Sequence, residues 1–163
     1  MKKRNCFIGQ SGGPTAAINA SLAGIIAECI DTNQFEHVYG MINGIKGLLE
    51  EKYFDLLETF QDKQNISNLK HSPAMYLGSC RYKLPTYIED SETYDKLFAI
   101  FDKLDITDFY YIGGNDSMDT VDKLSNYAQT INSPIRFIGI PKTIDNDLMG
   151  TDHTQDLVLL QNM

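Results

Sequence analysis

The chain has 163 residues, 42% of them hydrophobic, enough for one substantial core and unlike a disordered, collagen-like or disulfide-built protein. A balance of 14 basic against 22 acidic side chains leaves a net charge of −8, which disfavours nucleic acid and membrane as partners and requires any anionic ligand to be captured locally. Cys6, Cys29 and Cys80 lack CxxC spacing, Met1-Lys2-Lys3-Arg4 leads into no signal-peptide apolar run, and no stretch reaches membrane-spanning length; a cytoplasmic protein is expected.

In chain order, Asn5 to Gly9 reads as a buried strand, and Gly12-Gly13-Pro14 turns into a helix over about Thr15 to Ile30, with Pro14 suited to the first helical position. Glu36 to Ile42 reads as a second strand, followed by turn signals at Asn43-Gly44 and Gly47 and a mixed polar segment to about Lys70 that fits no single pattern. A helix over about Ser91 to Leu104 leads to the strand Asp108 to Ile112, the turn GGNDS (Gly113 to Ser117) and a helix from Ser117 to about Ile131. Met118, Val121, Leu124 and Ala128 give that helix one apolar face. Ile135 to Ile140 is a further strand running into PKTIDND (Pro141 to Asp147). Strands alternating with helices predict an α/β fold with a doubly wound, mainly parallel sheet, whose ligands sit at the carboxyl ends of the strands. The three turns that follow strands should therefore converge on one edge.

Each turn has a chemical reading beside an ordinary structural one. Gly12 and Gly13 precede a helix whose first amides lack intrahelical partners, so they can cradle phosphate or simply make a tight turn; the pattern is neither Walker A nor GxGxxG. Asp116 is anomalous beside a phosphate site, because two unit charges about 4 Å apart repel by roughly 4 kcal/mol at an effective dielectric of 20. Asn115, Asp116 or Ser117 can also serve as a helix cap. In PKTIDND, Lys142 can neutralise a transferring phosphoryl group, Thr143 can orient a substrate and Asp145 can accept a proton from an attacking hydroxyl. Asp147 can be a helper carboxylate or a loop acceptor, and any of these residues alone can be part of a solvated loop. His37, His71 and His153 lack metal-ligand spacing, and the Phe109, Tyr110, Tyr111 run reads as strand packing.

Taken together, GQSGGPTAAIN (Gly9 to Asn19), LGSCR (Leu77 to Arg81), YIGGNDS, GIPKTIDND and GTDHT (Gly150 to Thr154) resemble the amino-terminal, Rossmann-like domain of the 6-phosphofructokinase family in content, order and approximate spacing, over about Asn5 to Thr154. ATP-using members commonly carry Gly at the places of Asp116 and Lys142, so the resemblance implies the pyrophosphate-using type. The reaction implied is phosphoryl transfer to the 1-hydroxyl of fructose 6-phosphate in glycolysis. By the same resemblance Gly12 and Gly13 contact the donor, with Asp116 and Ser117 beside them, and Arg81 lies near the transferred phosphoryl group. Lys142 supplies positive charge, Asp145 deprotonates the sugar, Thr143 seats it and Asp147 assists. The implied cofactor is Mg²⁺, held by Asn115 or Asp147, although Asn115 stands where the GGDG and GGDD patterns have Asp and offers a weaker ligand.

The full-length family member is expected to be a homo-oligomer and to continue into a second domain that is absent here. Residues 154–163, TQDLVLLQNM, depart from the expected TPGFGSAAKY, and a single-base deletion within permitted codons converts the expected stretch into the observed one; 155–163 are therefore expected to come from a frameshifted gene or from a sequencing error. Two rival readings are an ATP-dependent member of the family and a non-catalytic fragment.

Overall fold

The computed structural model describes residues 3–73 and 75–142. Thr143, Asp145, Asp147, His153 and the tail 155–163 lie outside the described residues. The first strand, β1 (Arg4–Gln10), shows how this chain covers both faces of its sheet: Cys6 and Ile8 enter one apolar cluster and Phe7 the other, all at 0% exposure. That alternation is the period-2 consequence of extended backbone, and burial on both sides accounts for the continuous apolar run.

Helix α1 (Ala16–Thr32) follows, then β2 (Phe35–Met41), α2 (Gly44–Leu49), β3 (Tyr53–Asp55), α3 (Leu56–Thr59) and α4 (Lys63–His71). Helix α5 (Ser91–Lys103), β4 (Ile106–Gly113), α6 (Asn115–Thr130) and β5 (Arg136–Pro141) complete the described elements. The strand order is β3-β2-β1-β4-β5; β2, β1, β4 and β5 run parallel, and β3 is an antiparallel edge. The α/β expectation holds, with the antiparallel edge as an addition. The chain leaves β1 towards β2 and later returns to the other side of β1 as β4. This reversal opens a crevice at the carboxyl ends of β1 and β4.

One core cluster packs α5 and α6 on the sheet through Phe7, Leu97, Phe101, Phe109 and Leu124. The other packs α1 and α4 through Ile8, Ile18, Leu22, Val38 and Leu69. At the opposite end from the crevice, the fully buried Asp108 is paired with Arg4 of β1 at 3.5 Å and with Arg136 of β5. A buried carboxylate needs such partners, and these two arginines come from the strands flanking β4.

Two helix starts beside the glycine turns differ from the sequence reading. Helix α1 starts at Ala16 with Thr15 as its N-cap, so Pro14 precedes the cap instead of opening the helix. Helix α6 starts at Asn115 directly after Gly113-Gly114, two residues earlier than read, because the Gly pair itself makes the turn.

Candidate active-site cleft

The carboxyl end of β1 becomes the Ser11-Gly12-Gly13 turn. Gly12 has φ +90, a conformation that a residue with Cβ rarely adopts. Thr15, the N-cap of α1, is extended and its side chain caps no amide, and the first helical turn carries no acidic residue. The start of this 17-residue helix therefore offers uncompensated N–H groups and positive dipole potential. The carboxyl end of β4 becomes Gly113-Gly114, and α6 likewise begins without a side-chain cap, but its first turn holds Asp116. One helix start attracts an anion, and its neighbour already carries a negative charge.

Several bonds hold these two turns side by side. Ser11 N–H donates to Ile112 O at 3.0 Å, and the buried Ser11 and Ser117 hydroxyls meet at 2.8 Å. A side chain at Gly113 would collide with Ser117 Oγ and Ser11 O, so the close approach requires glycine there. The end of β5 joins them: Lys142 N–H donates to Gly113 O at 2.8 Å, and Lys142 Nζ donates to Gly13 O at 2.8 Å. Lys142 is 5% exposed, so its charge lies beneath the glycine turn instead of projecting into solvent.

A segment without regular structure crosses above the turn. Ser79 Oγ donates to Gly12 O at 2.7 Å, and Gly78, at φ +74, packs on the Asn43 side chain. A cleft of about 550 Å³ results, lined by Gly12, Gly13, Ser79, Arg81, Lys83 and Asp116. On its other side Arg81 borders a second polar cleft of about 540 Å³, with Lys46 and Lys52 on the wall. Behind both, Tyr111 Oη and Cys80 Sγ occupy the space where a Gly44 Cβ would stand, and burial pushes the Tyr111 phenol well above its ordinary range.

Gly12, Gly13, Arg81 and Asp116, read separately from sequence, thus meet in one cleft, with Lys142 directly below. Ser117 lies under the surface, bonded to Ser11, and Asn115 heads α6 beside Asp116. Lys83 was not singled out from sequence; its signal was its place two residues after Arg81 in the crossing segment.

The fold and the cleft define a doubly wound α/β protein with a cation-bordered, amide-lined crevice at the switch point of its sheet. The phosphofructokinase profile matches residues 5–155, and the chain belongs to that family. It is 42% identical over 154 residues to the pyrophosphate–fructose 6-phosphate 1-phosphotransferase of Methylococcus capsulatus, covering 93% of this chain and 36% of that protein. The enzyme of the same name from Halomonas elongata is 42% identical over 156 residues, covering 94% and 36%. The crystal structure of pyrophosphate-dependent phosphofructokinase from Nitrosospira multiformis superposes with a TM-score of 0.84 at 39% identity, covering 94% of this chain and 37% of that one. The chain thus spans little more than a third of the length of these relatives.

Proposed function

We propose that this chain is the donor-binding part of a pyrophosphate-dependent 6-phosphofructokinase. The observation that carries the reading is one cleft with opposed charges: Asp116 on its wall, and Lys142 buried beneath the Gly12-Gly13 turn that the bare start of α1 extends. Pyrophosphate is compact and can sit on the turn without reaching Asp116. A nucleotide must place a third phosphate nearby. Repulsion at about 4 Å then amounts to roughly 1 kcal/mol if water screens Asp116 fully and about 4 kcal/mol at an effective dielectric of 20. Attraction on one side and exclusion on the other is how donor specificity is built. The relatives named above for the pyrophosphate reaction support the same choice.

In the proposed reaction the 1-hydroxyl oxygen of fructose 6-phosphate attacks one phosphorus of pyrophosphate. Its proton passes to Asp145, the bridging P–O bond breaks and inorganic phosphate leaves, giving fructose 1,6-bisphosphate. Gly12 and Gly13 amides hold the donor, Arg81 and Lys142 stabilise charge on the transferring group, and Thr143 and Asp147 orient the sugar.

Among the described residues no group of three or more His, Cys, Asp or Glu side chains forms a metal site. The Asn115 amide and the Asp147 carboxylate are hard oxygen donors of the kind Mg²⁺ takes, and their chemistry fits it as a partner to phosphate oxygens. Bound there, Mg²⁺ would offset donor charge. Among the described residues no helix is long and apolar enough to cross a membrane. The reading extends to a cytoplasmic, homo-oligomeric, glycolytic enzyme in which residues 1–154 form the donor domain and 155–163 are read out of frame.

The test is turnover of fructose 6-phosphate by the full-length protein from the frame-corrected gene, with pyrophosphate and with ATP. Turnover with pyrophosphate is expected; turnover with ATP and none with pyrophosphate refutes the proposal.

A further inference from the structure

Arg81 owes its place to an arm of chain, between the end of α4 at His71 and the start of α5 at Ser91, whose described residues form no helix or strand. Such a segment must find its backbone partners elsewhere. Two fully buried amide side chains supply several of them, alongside Asn43 N–H, which donates to Leu77 O at 2.8 Å. Gln10, the last residue of β1, is 0% exposed, and Asn19, in the first turns of α1, is 1% exposed. Gln10 Oε1 accepts from Leu77 N–H at 3.0 Å, while its Nε2 donates to Ile18 O and Asn19 Oδ1, both at 3.1 Å. Asn19 Oδ1 also accepts from Tyr76 N–H at 2.9 Å, and its Nδ2 donates to Ser72 O at 3.2 Å and Ser72 Oγ at 3.0 Å.

We infer that Gln10 is a positioning residue for the anion site: through Leu77 it holds the arm that carries Arg81 at a set place over the Gly12-Gly13 turn. The inference rests on the reading that this turn and Arg81 receive pyrophosphate. Gln10 ends β1 just before the glycine turn and Asn19 lies in α1 beyond it, so the arm is referenced to the same two elements that carry the phosphate amides. Ser79, two residues beyond Leu77, then closes onto Gly12 O.

The chemistry of the anchor requires an amide. One side chain must accept from a backbone N–H and donate twice, which a carboxylate or an alkyl group cannot do. Leaving the buried Leu77 N–H unpaired costs about 1–3 kcal/mol, enough to let the arm open locally without unfolding the sheet.

The experiment uses the 163-residue chain with Gln10→Leu, Arg81→Ala and both changes. Inorganic pyrophosphate is titrated calorimetrically, and amide exchange is followed over residues 75–81. Gln10→Leu should speed exchange at Tyr76 to Arg81 and weaken pyrophosphate binding about 10-fold, the size expected when one charged group is displaced. In the Arg81→Ala background the same change should weaken binding by less than about 2-fold, because Gln10 acts through Arg81. A residue needed only for stability would give additive losses, and additive losses or unchanged exchange overturn the inference. Should Gln10→Leu fail to fold, Ser72→Ala removes the hydroxyl partner of Asn19, together with the bond from Ser72 Oγ to Leu69 O at the end of α4. Faster Leu77 exchange with weaker binding supports the anchor, and no change in either overturns it. If the unmodified chain binds no pyrophosphate, the donor-site reading fails, while the exchange comparison still decides whether Gln10 holds the arm.

Discussion

Replacing Lys142 with methionine probes the charge beneath the glycine turn most cleanly, because Met keeps an unbranched stem of similar length in a position only 5% exposed. Two contributions are lost. The 2.8 Å bond from Nζ to Gly13 O is charge-assisted, and such bonds contribute about 1.5–3 kcal/mol. The lost attraction for a bound phosphate charge is about 3 kcal/mol, taking roughly 6 Å separation and an effective dielectric of 20. Gly13 is exposed, so water replaces most of the first contribution and the second dominates the binding change. A loss of about 3 kcal/mol is roughly 100-fold in Kd. Calorimetric titration of pyrophosphate into the purified chain reads it directly, with circular dichroism confirming an unchanged fold. Lys142→Arg should lose less. Affinity within about 3-fold of the unmodified chain would refute the role assigned to this charge.

Other outcomes follow from the same geometry. Phe101→Ala removes a fully buried ring that contacts Phe98 at 5.2 Å and Phe109 at 5.6 Å between centroids, and it should cost about 3–5 kcal/mol in denaturant unfolding. Burial pushes the Tyr94 and Tyr110 phenols from 10.0 up to about 12. The folded state therefore holds these protons more tightly, and that stability, complete below pH 10, should fall as pH rises through 12. Phenolate absorbance in which Tyr94, Tyr110 and the buried Tyr111 titrate late checks this, and titration of every tyrosine near its ordinary value contradicts it. The isolated 163-residue chain, spanning 36% of its relatives, should bind pyrophosphate yet give negligible turnover of fructose 6-phosphate, and brisk turnover would contradict the division of labour proposed. Resequencing beyond the Thr154 codon should restore TPGFGSAAKY in one shifted frame; no coding sequence in any frame would remove the frameshift.

Much of this arrangement was legible because its signals are local. The apolar runs of β1, β4 and β5, with glycines after the first two and the polar PKTIDND run after the third, marked strand ends, and parallel order alone implied that the turns share an edge. The segment from Asn43 to Lys70 was not legible. There β3 has 3 residues and α3 has 4, too short for periodicity to show, and their stability comes from tertiary packing such as Leu56, at 0% exposure, against the sheet. Lys142 illustrates a second limit: its charge was evident, but only the fold shows that the amine turns under Gly13. Gln10 and Asn19 illustrate a third. Both stand inside a motif recognised for its glycines, and the only clue to their role was a pair of amides bracketing the turn at a distance that α1 and β1 close.

The donor choice is the central claim, and competitive titration of the chain with pyrophosphate and ATP tests it most directly. Pyrophosphate should bind to the unmodified chain with ATP failing to displace it, and Asp116→Gly should admit ATP with a gain of about 1–4 kcal/mol, the range bounded by screening at the cleft wall. Equal binding of both donors by the unmodified chain, or an Asp116→Gly chain as closed to ATP as before, would contradict the account.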